Sequence, residues 1–188
     1  TGEATAEDLT GPWPPAGAEP LDTSGLYTRF AEHGYQYGPG FQGLKAAWHH
    51  GDDVYAEVAL PEAQHDRARR FGLHPALLDA ALHALWLAAV QGGPSAGDAG
   101  GIRLPFTWGG TSLYASGATT LRVRLTTTGT DEVAITVADA AGTPVAAVES
   151  LVTRPLVAGQ LEAARVRSLY RVDWHPATAD GTRVPLYE

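Results

Sequence analysis

The stretch His74-Pro75-Ala76-Leu77-Leu78-Asp79-Ala80-Ala81-Leu82-His83-Ala84-Leu85-Trp86 reads as a helix that is apolar on every side but one. The exceptions are Asp79 and His83, four residues apart and so one turn above the other on a single face. At about 100° per residue, Leu82, Trp86 and Val90 flank that polar stripe, and Leu77, Leu78, Ala81, Leu85 and Ala88 cover the rest of the cylinder. A helix that is apolar all round is normally buried. A carboxylate inside it must be hydrogen-bonded or kept protonated, and both remedies move its proton affinity toward the range useful in acid-base chemistry.

The helix runs from about Pro75 to Gln91, with proline in the first turn, where a missing N–H costs nothing, and Gly92-Gly93 as the stop. Upstream, Phe41–His49 and Val54–Leu60 are short alternating runs joined by His50-Gly51-Asp52-Asp53, a hairpin signature. Before them comes the loop Tyr35-Gln36-Tyr37-Gly38-Pro39-Gly40, and before that a short helix on which Leu26, Tyr27 and Phe30 share a face. Asp22 or Ser24 is its expected cap and Gly34 its stop. Downstream of the Gly-rich loop 92–101 lie four strand-like runs, Arg103–Tyr114, Thr119–Thr128, Val133–Ala138 and Val145–Arg154. In the second of these, Leu121, Val123 and Leu125 alternate with Arg122, Arg124 and Thr126, which predicts one dry and one wet face. The sum is an α+β hotdog fold: a curled antiparallel sheet of about six strands wrapped around one long helix inserted after the second strand.

Residues 1–21 (with GPWPPAGAEP at 11–20) carry no apolar period and read as a linker with local order around Trp13. Residues 22–156 form the domain, and 157–188 read as an exit linker ending in one more strand-like run, Leu169–Trp174. The chain has 188 residues, of which 44% are hydrophobic, enough for one good core. It lacks Cys, so disulfides and thiolate chemistry are excluded, and chemistry must come from Asp, Glu, His, Ser or Tyr. Absence of Met in a chain starting with Thr suggests a piece of a longer polypeptide. A net charge of −8 disfavours nucleic acid as a partner. No run approaches the ~18 apolar residues of a membrane span, and no signal peptide is visible, so the expected location is cytoplasmic. His49 and His50, adjacent on a strand, point to opposite faces and cannot share a metal, and no other ligand spacing stands nearby.

Four segments together resemble the dehydratase domains of modular type I polyketide synthases, and among them the C-terminal half of the double hotdog. They are Tyr37-Gly38-Pro39-Gly40-Phe41-Gln42-Gly43-Leu44, His74–His83, Leu104-Pro105-Phe106-Thr107-Trp108 and Val152-Thr153-Arg154-Pro155-Leu156. The resemblance spans roughly residues 12–156, and Leu169–Trp174 is similar to the strand opening the ketoreductase region that follows. It implies a lyase that removes water from a (3R)-3-hydroxyacyl group on an acyl carrier protein, giving the trans-2-enoyl thioester. The substrate rides on the carrier's phosphopantetheine arm, and no cofactor is expected in this chain. The implied partners are the N-terminal hotdog half, the carrier protein and neighbouring domains of a homodimeric megasynthase.

In the family, a His in a His-x-x-x-Gly-x-x-x-x-Pro motif on the N-terminal hotdog takes the α-proton. The residue at Asp79 protonates the departing hydroxyl, and the one at His83 holds that Asp. None of His33, His49, His50, His65, His74, His83 and His175 has the motif's Gly and Pro, so the base is expected on another stretch of protein. Each site residue also has a purely structural reading: Asp79 as a capped buried carboxyl, His83 as a satisfied core histidine, Tyr37 as a strand-edge aromatic. In the functional reading the Tyr37 hydroxyl, fixed by Gly38-Pro39, reaches the leaving oxygen or Asp79. Phe41, Leu78, Leu104, Pro105, Phe106 and Trp108 are expected to line the acyl tunnel. His74 is expected at the helix N-terminus, and Arg67, Arg69 and Arg70 in a solvated loop that could face an acidic carrier. Two other roles fit the same pattern: a non-catalytic scaffold or dimerisation module within a synthase, and a homodimeric hotdog thioesterase or hydratase.

Overall fold

A computed structural model describes residues 9–91 and 103–155. The expected loop 92–101 and the exit segment 157–188 with its strand Leu169–Trp174 lie outside them. Among the described residues seven antiparallel strands form one sheet: β1 (Glu19–Leu21), β2 (Leu44–His50), β3 (Asp53–Ala59), β4 (Arg103–Leu113), β5 (Thr120–Gly129), β6 (Glu132–Ala138) and β7 (Pro144–Pro155). Their spatial order is β1-β2-β3-β5-β6-β7-β4. The described residues also form helices α1 (Leu26–Glu32), α2 (His65–Ala68) and α3 (Pro75–Val90) and two 3₁₀ turns, Pro39–Phe41 and Glu62–Gln64. Six of the strands and the long helix stand where the sequence places them. Among the described residues no helix is long and apolar enough to cross a membrane.

Alternation builds the core. Leu121, Val123 and Leu125 on β5, Val54, Ala56 and Val58 on β3, and Ile135 and Val137 on β6 are all buried, and they meet Leu77, Ala80, Ala81, Ala84, Leu87 and Ala88 of α3 in one cluster. Alanines along that helix face let it sit close to β2, β3 and β5. One close approach is at Gly43, where an added Cβ would lie 3.0 Å from both the Ala59 carbonyl and the Ala80 methyl. Both neighbours are tied to backbone, so Gly43→Ala is expected to lower stability by roughly 1–3 kcal/mol, read from the urea midpoint.

Two expectations change. The segment before residue 22 contributes more than a linker. Glu19, Pro20 and Leu21 pair with His49, Trp48 and Ala47 of β2 as an edge strand, and Leu21 is buried. Trp13 packs edge-on against Trp48 and Tyr55, donates from Nε1 to the Glu57 carboxylate at 2.8 Å, and lies under the Arg122 guanidinium. This part of the outer sheet face, expected wet, is covered. Secondly, α1 has no side-chain cap. Gly25 stands at its N-cap in the left-handed region, while the Asp22 carboxylate accepts the Ser24 N–H one turn earlier.

Candidate active site

Helix α3 begins at His74, whose extended backbone and Nδ1, accepting the Ala76 N–H at 3.2 Å, form the cap ahead of Pro75. Burial, with Arg67 nearby, holds the His74 imidazole below its usual range, which favours the neutral form that can accept. At the other end the Gln91 side-chain amide accepts the Asp22 N–H at 2.9 Å and donates to the Asp22 carbonyl at 2.8 Å. This ties the segment leading into α1 to the C-terminal end of α3. The loop after α1 then carries Tyr37 back over the same helix, and a 3₁₀ turn, Pro39–Phe41, closes it.

The result is an aromatic box around His83. Its ring is 4.4 Å from Tyr37, 5.0 Å from Phe30 and 5.6 Å from Tyr27 between centroids, and the residue is 3% exposed. Phe30 also stacks on Trp86 at 4.5 Å. Asp79 sits at the edge of this box with its side chain 38% exposed, and its Oδ2 turned inward, 3.2 Å from His83 Nε2. The two atoms are bent out of full hydrogen-bond alignment, and neither has a hydrogen-bonding partner elsewhere in the described chain. Burial pushes the phenols of Tyr27 and Tyr37 up to about 12, with the Asp79 carboxylate adding to both, so each remains a proton donor near neutral pH.

Asp79, His83 and Tyr37 therefore converge, with Gly38, Pro39 and Phe41 on the loop over α3 and half-buried Leu78 beside the carboxyl. The carboxyl is less enclosed than the sequence suggests, since its side chain is more than a third exposed. Leu78, Leu82, Leu85 and Trp86 form a half-buried apolar stripe. Leu104, Pro105, Phe106 and Trp108 do not join the box. They lie on β4, at the sheet edge beyond β7, and Phe106, stacked under Arg154, is 56% exposed. Their apolar character reads as tunnel lining in sequence, but an edge strand leaves them open. Arg67 lies in α2 and Arg69 and Arg70 just after it; all three are exposed. Among the described residues no group of three or more His, Asp or Glu is placed to hold a metal.

Sequence reasoning missed Tyr27 and Phe30 as site residues. It placed them on one helix face, and the missing information was that this face meets His83, 56 residues from Tyr27.

An antiparallel sheet holding one long helix, with a carboxyl, an imidazole and phenols gathered on that helix, defines a hotdog-fold domain of the dehydratase type. The family model described as polyketide synthase dehydratase N-terminal domain matches residues 5–163, and the chain belongs to the polyketide synthase dehydratase family. It is 54% identical over 167 residues to polyketide synthase GfsE of Streptomyces halstedii, covering 87% of this chain and 4% of that protein. Among solved structures, one from a study of dehydratase substrate selection for the borrelidin and fluvirucin polyketide synthases is 45% identical, with a TM-score of 0.73 over 83% of this chain and 53% of that one. The D-to-N inactive mutant of the CurK dehydratase, an aspartate changed to asparagine, is 29% identical with a TM-score of 0.65, over 73% of this chain and 48% of that one. A second inactive CurK mutant has a histidine changed to phenylalanine. The chain thus spans about half of the dehydratases it matches and a small part of the synthase.

Proposed function

We propose that this chain is the C-terminal hotdog of a polyketide synthase dehydratase, and that Asp79 is its acid. The carrying observation is the Asp79 carboxyl, one oxygen turned in against His83, the side chain otherwise 38% exposed, and Tyr37 close enough to feel its charge. A 3-hydroxyl is a poor leaving group and needs a proton as its C–O bond breaks. Asp79 supplies it and the hydroxyl leaves as water. A base on the other hotdog takes the α-proton, and the C–H electron pair becomes the double bond of the 2-enoyl thioester. Tyr37, a donor at neutral pH, holds the departing oxygen, and His83 holds the carboxyl.

The assignment to the C-terminal half departs from the wording of the matched family and rests on residues. The acid stands on α3, no histidine here carries the base motif, and the exposed apolar edge of β4, with Leu104, Phe106, Trp108 and Leu113, is surface for a second hotdog. Known dehydratases about twice as long as the matched region support a second half, and the inactive CurK mutants at one aspartate and one histidine support a two-residue mechanism. The substrate enters on the phosphopantetheine arm of an acyl carrier protein, with Leu104, Phe106 and Trp108 lining its path once the halves meet.

The test is reconstitution. This chain alone is expected to give no dehydration of a (3R)-3-hydroxyacyl carrier thioester, and mixing with the upstream hotdog half to give the enoyl product by mass spectrometry. Equal turnover by the isolated chain would overturn the assignment, as would thioester hydrolysis in place of water loss.

A further inference from the structure

The Tyr27 hydroxyl accepts the backbone N–H of Leu44 at 3.0 Å. Its own proton is then directed to its other neighbour, His83 Nδ1, at 3.3 Å. A neutral imidazole carries one proton, so an accepting Nδ1 leaves that proton on Nε2. Nε2 faces Asp79 Oδ2 at 3.2 Å. With Asp79 as a carboxylate, the proton placement that satisfies both hydrogen bonds, Leu44 N–H to Tyr27 and Tyr27 O–H to Nδ1, leaves the Nε2 proton on the side of the ring that faces Oδ2. In the opposite tautomer, two N–H groups would point at the Tyr27 oxygen and a bare Nε2 would face a carboxylate oxygen.

We infer that Tyr27 is a positioning residue that fixes His83 as an Nε2–H donor, and thereby leaves Oδ1 as the oxygen from which Asp79 delivers its proton. Oδ2 is buried against the imidazole, so the exposed part of the side chain is the part that holds Oδ1. The titratable groups facing His83 are Tyr27 from α1, Tyr37 from the loop and Asp79 from α3 itself, and of these Tyr27 alone is hydrogen-bonded to Nδ1. Phe30 packs on the ring and offers it no proton. The catalytic consequence rests on the dehydratase reading above; the tautomer does not.

The tautomer is read by two-bond ¹H–¹⁵N correlation of the imidazole at a pH where it is neutral. Only this chain is labelled, alone and in the reconstituted dehydratase, and the signals are assigned by their loss in His83→Gln. The expected spectrum has a bare Nδ1 and a protonated Nε2. In Tyr27→Phe the pattern is expected to become a mixture, and kcat of the reconstituted enzyme to fall about tenfold with KM unchanged. A protonated Nδ1 in the unsubstituted chain would overturn the inference without any variant, and so would an unaltered spectrum in a folded Tyr27→Phe chain. If Asp79→Asn keeps full turnover, the dehydratase reading fails while the tautomer result stands. An unaltered Tyr27→Phe spectrum beside an inactive Asp79→Asn enzyme fails the positioning role alone.

Discussion

Replacing Asp79 by Asn is expected to cut turnover of the reconstituted dehydratase by roughly a hundredfold or more, the span that positioned proton donors contribute. Asn keeps the size of the side chain and can still accept from His83 Nε2, so the box around it has no reason to rearrange. What it loses is the dissociable proton. Because the Asp79 side chain is 38% exposed, no deeply buried charge pair is broken, and thermal unfolding should move little. The measurement is enoyl-thioester formation under single-turnover conditions, paired with a melting curve. A variant that dehydrates within threefold of the parent would remove Asp79 from the chemistry, and a large fall in melting temperature would assign it a structural role.

The second large effect is on stability. Phe30, 2% exposed, packs on Tyr37, His83 and Trp86 at 5.1, 5.0 and 4.5 Å. Phe30→Ala is expected to cost about 3–5 kcal/mol, a large share of the 5–15 kcal/mol that holds an ordinary domain together. Phe41, only eleven residues on, is 44% exposed, so Phe41→Ala is expected to cost under about 1 kcal/mol. Denaturant midpoints of the two variants decide the matter. Equal midpoints would mean that α1 is not docked on α3 through Phe30.

The difference between those two phenylalanines is not written in their local sequence, and it marks what sequence could and could not reveal. Alternation made β5 legible, because Leu121, Val123 and Leu125 must share a face whatever lies opposite. Proline at 75 and the glycines past residue 91 bounded α3. Strand β1 escaped because three residues containing Pro20 carry no alternation, and its place is set by the free edge of β2. The run Leu104–Trp108 read as tunnel lining because hydrophobicity records a need for cover without saying whose. Asp79 and His83 were legible as a pair because helical spacing is local. Tyr27 was not, since its role depends on a contact across the fold.

The contact between the Leu44 N–H and the Tyr27 hydroxyl bears on how such a site withstands sequence drift. The donor at the root of the relay belongs to the main chain, so it is the same whichever amino acid occupies position 44. Only proline, which has no N–H, would erase it by substitution. The residue at position 44 can therefore change within the apolar sizes its buried place allows while the orientation of an imidazole on another element stays encoded in the backbone.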